Sequence, residues 1–156
     1  MMNKNIKDFF FMLAGMVIGT YWMAKKCEEE LLCKEERAQR NARSTKSACR
    51  WIRAIQDNKH VKDYFDNRNI SAVAIYGMGE LGKCLAREIE KSGIEIKCVI
   101  DRNKRIKAYE YQIISPDDDL PRVDAVIVTP VYDYKAISEN LRNHTDAQII
   151  SMDDIW

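Results

Sequence analysis

The sequence predicts an α/β domain with a small parallel sheet and flanking helices, preceded by an N-terminal transmembrane helix and a helical stalk. Two observations support this prediction. From residue 70 to the end, short apolar runs alternate with helical patterns, an order typical of parallel sheets. Before that, the uncharged segment Phe9–Ala24 precedes a charged stretch without glycine or proline. A chain of 156 residues therefore holds one domain with appendages, and not a two-domain enzyme.

The apolar segment Phe9–Ala24 predicts a single transmembrane helix after a short tail, residues 1–8. At about 1.5 Å per residue it covers about 24 Å, so flanking lysines must reach toward the headgroups of a hydrocarbon core about 30 Å thick. Tyr21 and Trp22 suit an interfacial aromatic belt and are too bulky for a signal-peptide cleavage site. A cleaved signal peptide and a buried core helix are the alternatives, although a core helix usually has a polar stripe.

Basic residues flank this segment unevenly, and their distribution predicts an orientation. Lys4 and Lys7 precede the segment, whereas eight Lys and Arg side chains follow it within residues 25–50. The positive-inside rule therefore predicts a single-pass cell-membrane protein with a cytoplasmic C-terminal domain. The five cysteines are odd in number and form no C-x-x-C pair, which argues against a disulfide framework or a zinc site and fits a reducing compartment. Cys84 and Cys98 lie in apolar patterns that predict buried, inert thiols.

Residues 25–47 predict a charged helical linker, and residues 48–69 predict a helical collar. The linker favours a solvated stalk over anionic headgroups, with nucleic-acid or calmodulin-type binding as the alternative. In the collar, apolar side chains recur at helical spacing on both sides of a polar break. We expect these stripes to dock on the domain that follows, and a homodimer contact is the alternative. The stripes consist of Ala48, Trp51, Ile52 and Ile55, and of Val61, Tyr64 and Phe65.

Residues 70–156 predict the sheet domain. Its apolar runs are short and rich in Val and Ile, as in strands that are buried on both faces. A Ser-Gly pair stops the first helix, and an acidic turn at 115–119 favours a capped turn over a Mg²⁺ site. The order β-α-β-(β)-β-α-β predicts a parallel sheet with helices on its faces. The predicted strands are 72–76, 94–100, 111–114, 125–129 and 148–150, and the predicted helices are 81–92 and 134–142.

A glycine-rich turn joins the first of these strands to the first helix. Its sequence Gly77-Met78-Gly79-Glu80-Leu81-Gly82 fits G-x-G-x-x-G, and Asp101 ends the second strand. In such a turn the first glycine permits the bend, the second admits a pyrophosphate, and the third lets helix and strand pack closely. The helix N-terminus supplies N–H donors, and Asp101 is placed to accept hydrogen bonds from ribose hydroxyls. A purely structural turn, with a cap role for Asp101, is the alternative.

Basic residues after Asp101 bear on the choice of cofactor. Arg102, Lys104 and Arg105 are candidates for the 2′-phosphate of NADP, with solvated loop charges as the alternative. We therefore expect NAD or NADP as the cofactor, and a nucleotide-sugar as the alternative ligand. The sequence predicts no metal site.

Three segments carry a resemblance to a known family. VAIYGMGELG, VIDRN and VDAVIVTP resemble the small NAD(P)-binding Rossmann-like domains of bacterial cell-surface polysaccharide and nucleotide-sugar proteins, over about residues 70–150. Residues 124–130 are also similar to the fourth-strand motif of glucose-fructose-oxidoreductase-like dehydrogenases. The resemblance implies that Thr129 and Pro130 lie near the nicotinamide or sugar side of the site. It also implies a polysaccharide-pathway enzyme as a partner.

The chain departs from those dehydrogenases where their catalytic groups lie. Their Glu-Lys-Pro segment does not follow Pro130. The Tyr-x-x-x-Lys pair of short-chain dehydrogenases is also absent from residues 70–156. We therefore expect a membrane-tethered module that binds NAD(P) or a nucleotide-sugar without catalysis of its own. The alternatives are an oxidoreductase or epimerase subunit completed by a partner, and an interaction scaffold with a lapsed nucleotide site. With 25 basic and 24 acidic side chains, the composition argues against a dedicated nucleic-acid binder.

Overall fold

The computed structural model of the chain describes residues 4–103 and 111–156. For residues 4–11 it describes the backbone alone. The chain forms two compact units, and the boundary between them lies between Asn41 and Ala42. Helix α1 comprises Lys4–Gln56, and α2 comprises Val61–Asp66 after a turn in which Asn58 has a φ of 56°. The predicted polar break between two helices is confirmed.

The first unit is helical from residue 4 to residue 41. Every side chain described in it is exposed, and Glu36 and Arg40 form an i, i+4 ion pair at 4.0 Å. The predicted transmembrane segment lies in this helix, and its first three residues, 9–11, fall outside the described side chains. Among the residues that the structure describes, no helix is both long and apolar enough to cross a membrane.

The second unit contains, in its described part, a five-stranded sheet of order β3-β2-β1-β4-β5. All four strand pairs are parallel, which confirms the predicted α/β class and parallel sheet. The strands are β1 (Ala72–Tyr76), β2 (Glu95–Ile100), β3 (Ile113–Ile114), β4 (Ala125–Val128) and β5 (Gln148–Ser151). The helices between them are α3 (Glu80–Ser92) and α4 (Tyr134–Leu141), and a 3₁₀ turn (Met152–Asp154) follows β5.

Apolar layers cover both faces of the central strand β1. On one face, Ile75 packs with Phe65 of α2 and Leu85 of α3. On the other face, Ala74 packs in a cluster that includes Leu141 of α4. The near-continuous apolar composition of β1 is therefore explained by burial on both sides.

Helix α3 begins and ends at glycines. Gly79 is its N-cap, and Gly93 ends it with a left-handed φ of 80°, as the predicted glycine stop requires. Leu85, Ala86 and Ile89 form its buried face. The prediction that Cys84 is buried is wrong, because this thiol lies on the exposed side of the helix.

The last turns of α1 dock on the 3₁₀ turn and the residues after it. The indole of Trp51 stacks on that of Trp156, with ring centroids 5.2 Å apart and planes inclined by 14°. The Ser47 hydroxyl donates to Oδ1 of Asp153 at 2.5 Å, and Nη1 of Arg50 donates to the Asp153 carbonyl at 3.1 Å. The predicted docking of the collar on the sheet domain is confirmed for this face.

The predicted apolar stripe of the collar is wrong at two positions. Ile52 and Ile55 are 55% and 43% exposed, whereas Ala54 and Ser47 are buried. The docked face consists of Ser47, Trp51 and Ala54, and the isoleucines lie beside it. Ser47 can be buried in this face because its hydroxyl donates to the Asp153 carboxylate. The second stripe is confirmed, since Val61 and Phe65 are buried and Tyr64 is half-buried.

Candidate functional site

The candidate site lies at the carboxyl ends of β1 and β4. The chain continues from β1 toward β2 on one side, while β4 and β5 lie on the other side, so this is the switch point of the sheet. Ligands of doubly wound sheets bind in the crevice at such a point. A cavity of about 410 Å³ opens here, within the typical range for small-molecule sites.

Eight of the ten predicted site residues line this cavity. Met78 and Gly82 are buried in the turn behind it. The cavity thus brings the glycine turn, the end of β2 and the end of β4 to one place. The lining residues that the sequence predicted are Gly77, Gly79, Glu80, Leu81, Asp101, Arg102, Thr129 and Pro130.

The three fingerprint glycines differ in what a side chain would meet. Gly77 has a φ of 87°, and an added Cβ would lie 2.9 Å from the ring of Pro130. At Gly82 an added Cβ would lie 2.1 Å from the carbonyl oxygen of Gly77, so helix and turn touch there. Gly79, with a φ of −69°, has no atom within 4 Å of the same position. Space for a ligand against the backbone is therefore available at Gly79 alone among the three.

The N-terminus of α3 faces this space. The first N–H that bonds back to the N-cap is that of Lys83, which donates to the Gly79 carbonyl at 3.0 Å. The N–H groups before it in the first turn have no partner within the helix and carry its positive dipole end. Glu80 in this turn pairs with Lys83 at 2.7 Å, and the hydrogen bond and charge of Lys83 hold the pKa of the Glu80 carboxyl below its ordinary value.

Asp101 ties the end of β2 to the glycine turn. Its Oδ2 accepts from the Met78 N–H at 2.9 Å, and its Oδ1 accepts from the Asn103 N–H at 2.8 Å. With these contacts Asp101 caps the turn, which was the alternative to ribose binding in the sequence analysis. A carboxylate has about four lone-pair sites, so both oxygens keep capacity for further donors.

Thr129 stabilises the glycine turn by a hydrogen bond. Its hydroxyl donates to the Gly77 carbonyl at 2.7 Å, and the side chain is only 5% exposed. Pro130 packs against Gly77 from the same strand end. The two residues therefore fix the shape of the turn, while their expected proximity to a nicotinamide or sugar stays a prediction.

Five lining residues were missed by sequence reasoning. Tyr132 and Asp133 lie in the loop between β4 and α4, so their position after a strand end was a usable signal. Ser44 gave no such signal, because its place at the cavity depends on how the last part of α1 packs. Nη1 of Arg43 donates to the Tyr132 carbonyl at 3.5 Å beside it. The missed residues are Ser44, Tyr76, Tyr132, Asp133 and Ile137.

A second cavity of about 430 Å³ adjoins the first. The two share Tyr76, Arg102 and Ile137, so they form neighbouring parts of one groove along the carboxyl edge of the sheet. The second cavity also reaches Asp117 and Asn140. Its far wall is the acidic turn that follows β3.

The acidic turn at residues 115–119 is capped, as predicted from the sequence. Asp118 Oδ2 accepts from the Ser115 N–H at 2.7 Å, and the Asp118 N–H donates to the Ser115 carbonyl at 3.0 Å. Over residues 4–103 and 111–156, no grouping of His, Cys, Asp or Glu side chains is suited to hold a metal ion. Two of the three candidates for a 2′-phosphate, Lys104 and Arg105, lie outside the described residues, and the third, Arg102, is exposed.

Comparison with known proteins gave no match to a family model, to a curated protein or to a solved structure.

Proposed function

We propose that the chain binds a nucleoside-diphosphate ligand, NAD(P) or a nucleotide-sugar, at the carboxyl edge of its sheet. The observation that carries this proposal is the open backbone at Gly79, directly in front of the first turn of α3. A pyrophosphate requires close approach to the backbone together with unpaired N–H donors, and this position offers both. The enclosed neighbours Gly77 and Gly82 hold the turn in that shape.

Asp101 supports the same proposal. It lies at the end of β2 and lines the cavity, where its spare lone pairs are available to ribose hydroxyls. A 2′-phosphate placed there would meet a carboxylate, so we propose NAD over NADP within the dinucleotides.

The proposal includes a membrane tether and a cell-surface polysaccharide setting. The tether is supported by the uncharged segment Phe9–Ala24 and by the basic residues after it, which favour a cytoplasmic domain. The polysaccharide pathway is supported only by the resemblance of residues 70–150 to the Rossmann-like domains of cell-surface polysaccharide proteins. We propose binding without catalysis, because residues 70–156 contain neither a Glu-Lys-Pro segment nor a Tyr-x-x-x-Lys pair.

A binding experiment on the full chain in detergent tests the proposal. Titration calorimetry with NAD, NADP, UDP-sugars, GDP-sugars and CoA should find a ligand. At 100 times its dissociation constant this ligand should stabilise the fold by about 2.7 kcal/mol. Gly79→Val should abolish binding with little change in Tm, since its side chain would occupy the ligand space, and Gly79→Ala should reduce binding less. Absence of binding by every compound, or unchanged binding by Gly79→Val, would refute the proposal.

A further inference from the structure

Two exposed charged side chains, Arg102 and Asp117, line the second cavity. Within the described part of the chain, neither the Arg102 guanidinium nor the Asp117 carboxylate makes a hydrogen bond or an ion pair, although both line this cavity. Capping of the acidic turn is done by the neighbouring Asp118 instead. A cation and a carboxylate in one groove, both without a partner among residues 4–103 and 111–156, are suited to a ligand that presents both acceptors and donors.

The position of the cavity indicates which part of a nucleotide would reach it. The first cavity holds the glycine turn and Asp101, where pyrophosphate and ribose are proposed to bind. Arg102 is the next residue along the chain and belongs to both cavities. A base attached to a ribose at Asp101 would therefore extend into the second cavity, where buried Ile137 offers an apolar surface to its ring.

The charges favour one base. A carboxylate only accepts hydrogen bonds, so it pairs best with two adjacent donors. Guanine presents such a pair, N1–H and the 2-amino group, and its O6 and N7 acceptors are the usual partners of arginine. In adenine and cytosine a bare ring nitrogen lies beside the amino group and would repel Asp117. In uracil the single N–H lies between two carbonyl oxygens, which would also repel it.

We propose that the second cavity is a guanine subsite, with Asp117 accepting from the base and Arg102 donating to it. The ligand is then a guanosine-diphosphate derivative, such as a GDP-sugar, and not an adenine dinucleotide. This inference rests on the proposed nucleotide function of the first cavity and narrows its ligand class.

Competition among nucleoside diphosphates tests the inference. For the full chain in detergent, calorimetry should show GDP binding at least about tenfold more tightly than ADP, UDP or NAD. Asp117→Asn should weaken GDP binding by about tenfold to a hundredfold, since it loses a charge-assisted pair. The same variant should gain affinity for xanthosine diphosphate, because xanthine has a carbonyl oxygen at position 2 and an amide can donate to it. Asp119→Asn is the matched control, since Asp119 belongs to the same turn but does not line the cavity.

The outcomes separate this inference from the proposal on which it rests. If ADP, UDP or NAD binds as tightly as GDP, the guanine subsite is wrong and the nucleotide site stands. If Asp117→Asn keeps the GDP preference and gains nothing for xanthosine diphosphate, the subsite is also wrong. If no nucleotide binds at all, the proposed function and the subsite are both refuted. A switch toward xanthosine diphosphate in Asp117→Asn, and not in Asp119→Asn, supports the inference even if that variant is somewhat less stable.

Discussion

Gly82 and Gly79 belong to one turn, yet a side chain would have opposite consequences at the two positions. An added Cβ at Gly82 would lie 2.1 Å from the Gly77 carbonyl oxygen, which forces the backbone to move. We expect Gly82→Ala to destabilise the fold by more than about 3 kcal/mol, in the range of severe core substitutions. Gly79→Ala should cost about 1 kcal/mol or less, since it meets open space at a helix cap. Urea unfolding of both variants measures the contrast, and equal losses would contradict it.

Asp124 makes stability depend on pH at the residue scale. Its carboxylate accepts from the N–H and hydroxyl of Ser71 and from the Ala72 N–H, and these hydrogen bonds hold its pKa below the ordinary value. A folded-state pKa below the unfolded one gives a stabilisation that is present above the unfolded pKa and lost as pH falls through the folded pKa. The difference in unfolding free energy between the native chain and Asp124→Asn should therefore shrink between about pH 5 and pH 3. Urea titrations across this range measure it, and a constant difference would exclude the mechanism.

Cys98 should be chemically silent in the folded state. Burial within β2 raises the pKa of its thiol to about 11, so almost no thiolate forms at pH 8. We expect an aromatic disulfide reagent to modify the four exposed cysteines quickly and Cys98 only after unfolding. Cys98→Ala should leave the number of fast-reacting thiols unchanged, whereas Cys84→Ala should reduce it by one.

At the scale of elements, the docked face of α1 gives a direct test of the collar. Trp51 is 8% exposed and stacks on Trp156, so Trp51→Ala should destabilise the chain by about 3–5 kcal/mol. Ile52→Ala is the matched control on the exposed side of the same turn and should change stability by about 0.5 kcal/mol or less. Thermal unfolding at several protein concentrations distinguishes docking of the collar on its own domain from a homodimer contact. A large, concentration-dependent loss in Ile52→Ala would indicate a homodimer contact in place of simple exposure.

The end of β1 and the end of α3 could be predicted because a glycine marks each of them. The apolar run of β1 ends at a glycine turn, and α3 ends at a glycine whose left-handed φ other residues rarely adopt. Strand β3 is shorter than predicted, since it is an edge strand that pairs with β2 through two residues only. The docked face of α1 could not be predicted, because apolar periodicity cannot show that the Ser47 hydroxyl finds a half-buried carboxylate partner, Asp153.

At the scale of the whole molecule, membrane attachment is tested by extraction. If Phe9–Ala24 spans a bilayer, the full chain should resist alkaline carbonate. Val17→Lys with Ile18→Glu should release it, because charges in the apolar core are costly. Leu31→Lys with Leu32→Glu places the same charges after the segment and should leave the chain in the membrane fraction. Recovery of the unaltered chain in the soluble fraction would refute the tether.

The two parts of the candidate groove differ in how far the sequence could predict them. The glycine turn and Asp101 could be identified because their spacing along the chain is itself the signal. The second cavity could not, since its residues come from the ends of β1, β2 and β3 and from α4, which only the strand order brings together. Asp117 in particular is indistinguishable in sequence from the capping residue beside it.

The central position of β1 has a consequence for the route by which the chain folds. Strand β1 pairs with β2 after one short crossover, but its pairing with β4 closes a loop about twice as long. Each doubling of loop length costs about 0.6 kcal/mol in closure entropy, so β1, α3 and β2 form the cheaper nucleus. We expect substitutions such as Ile89→Val in α3 to slow refolding. Ile150→Val in β5 should mainly accelerate unfolding, as stopped-flow kinetics would reveal.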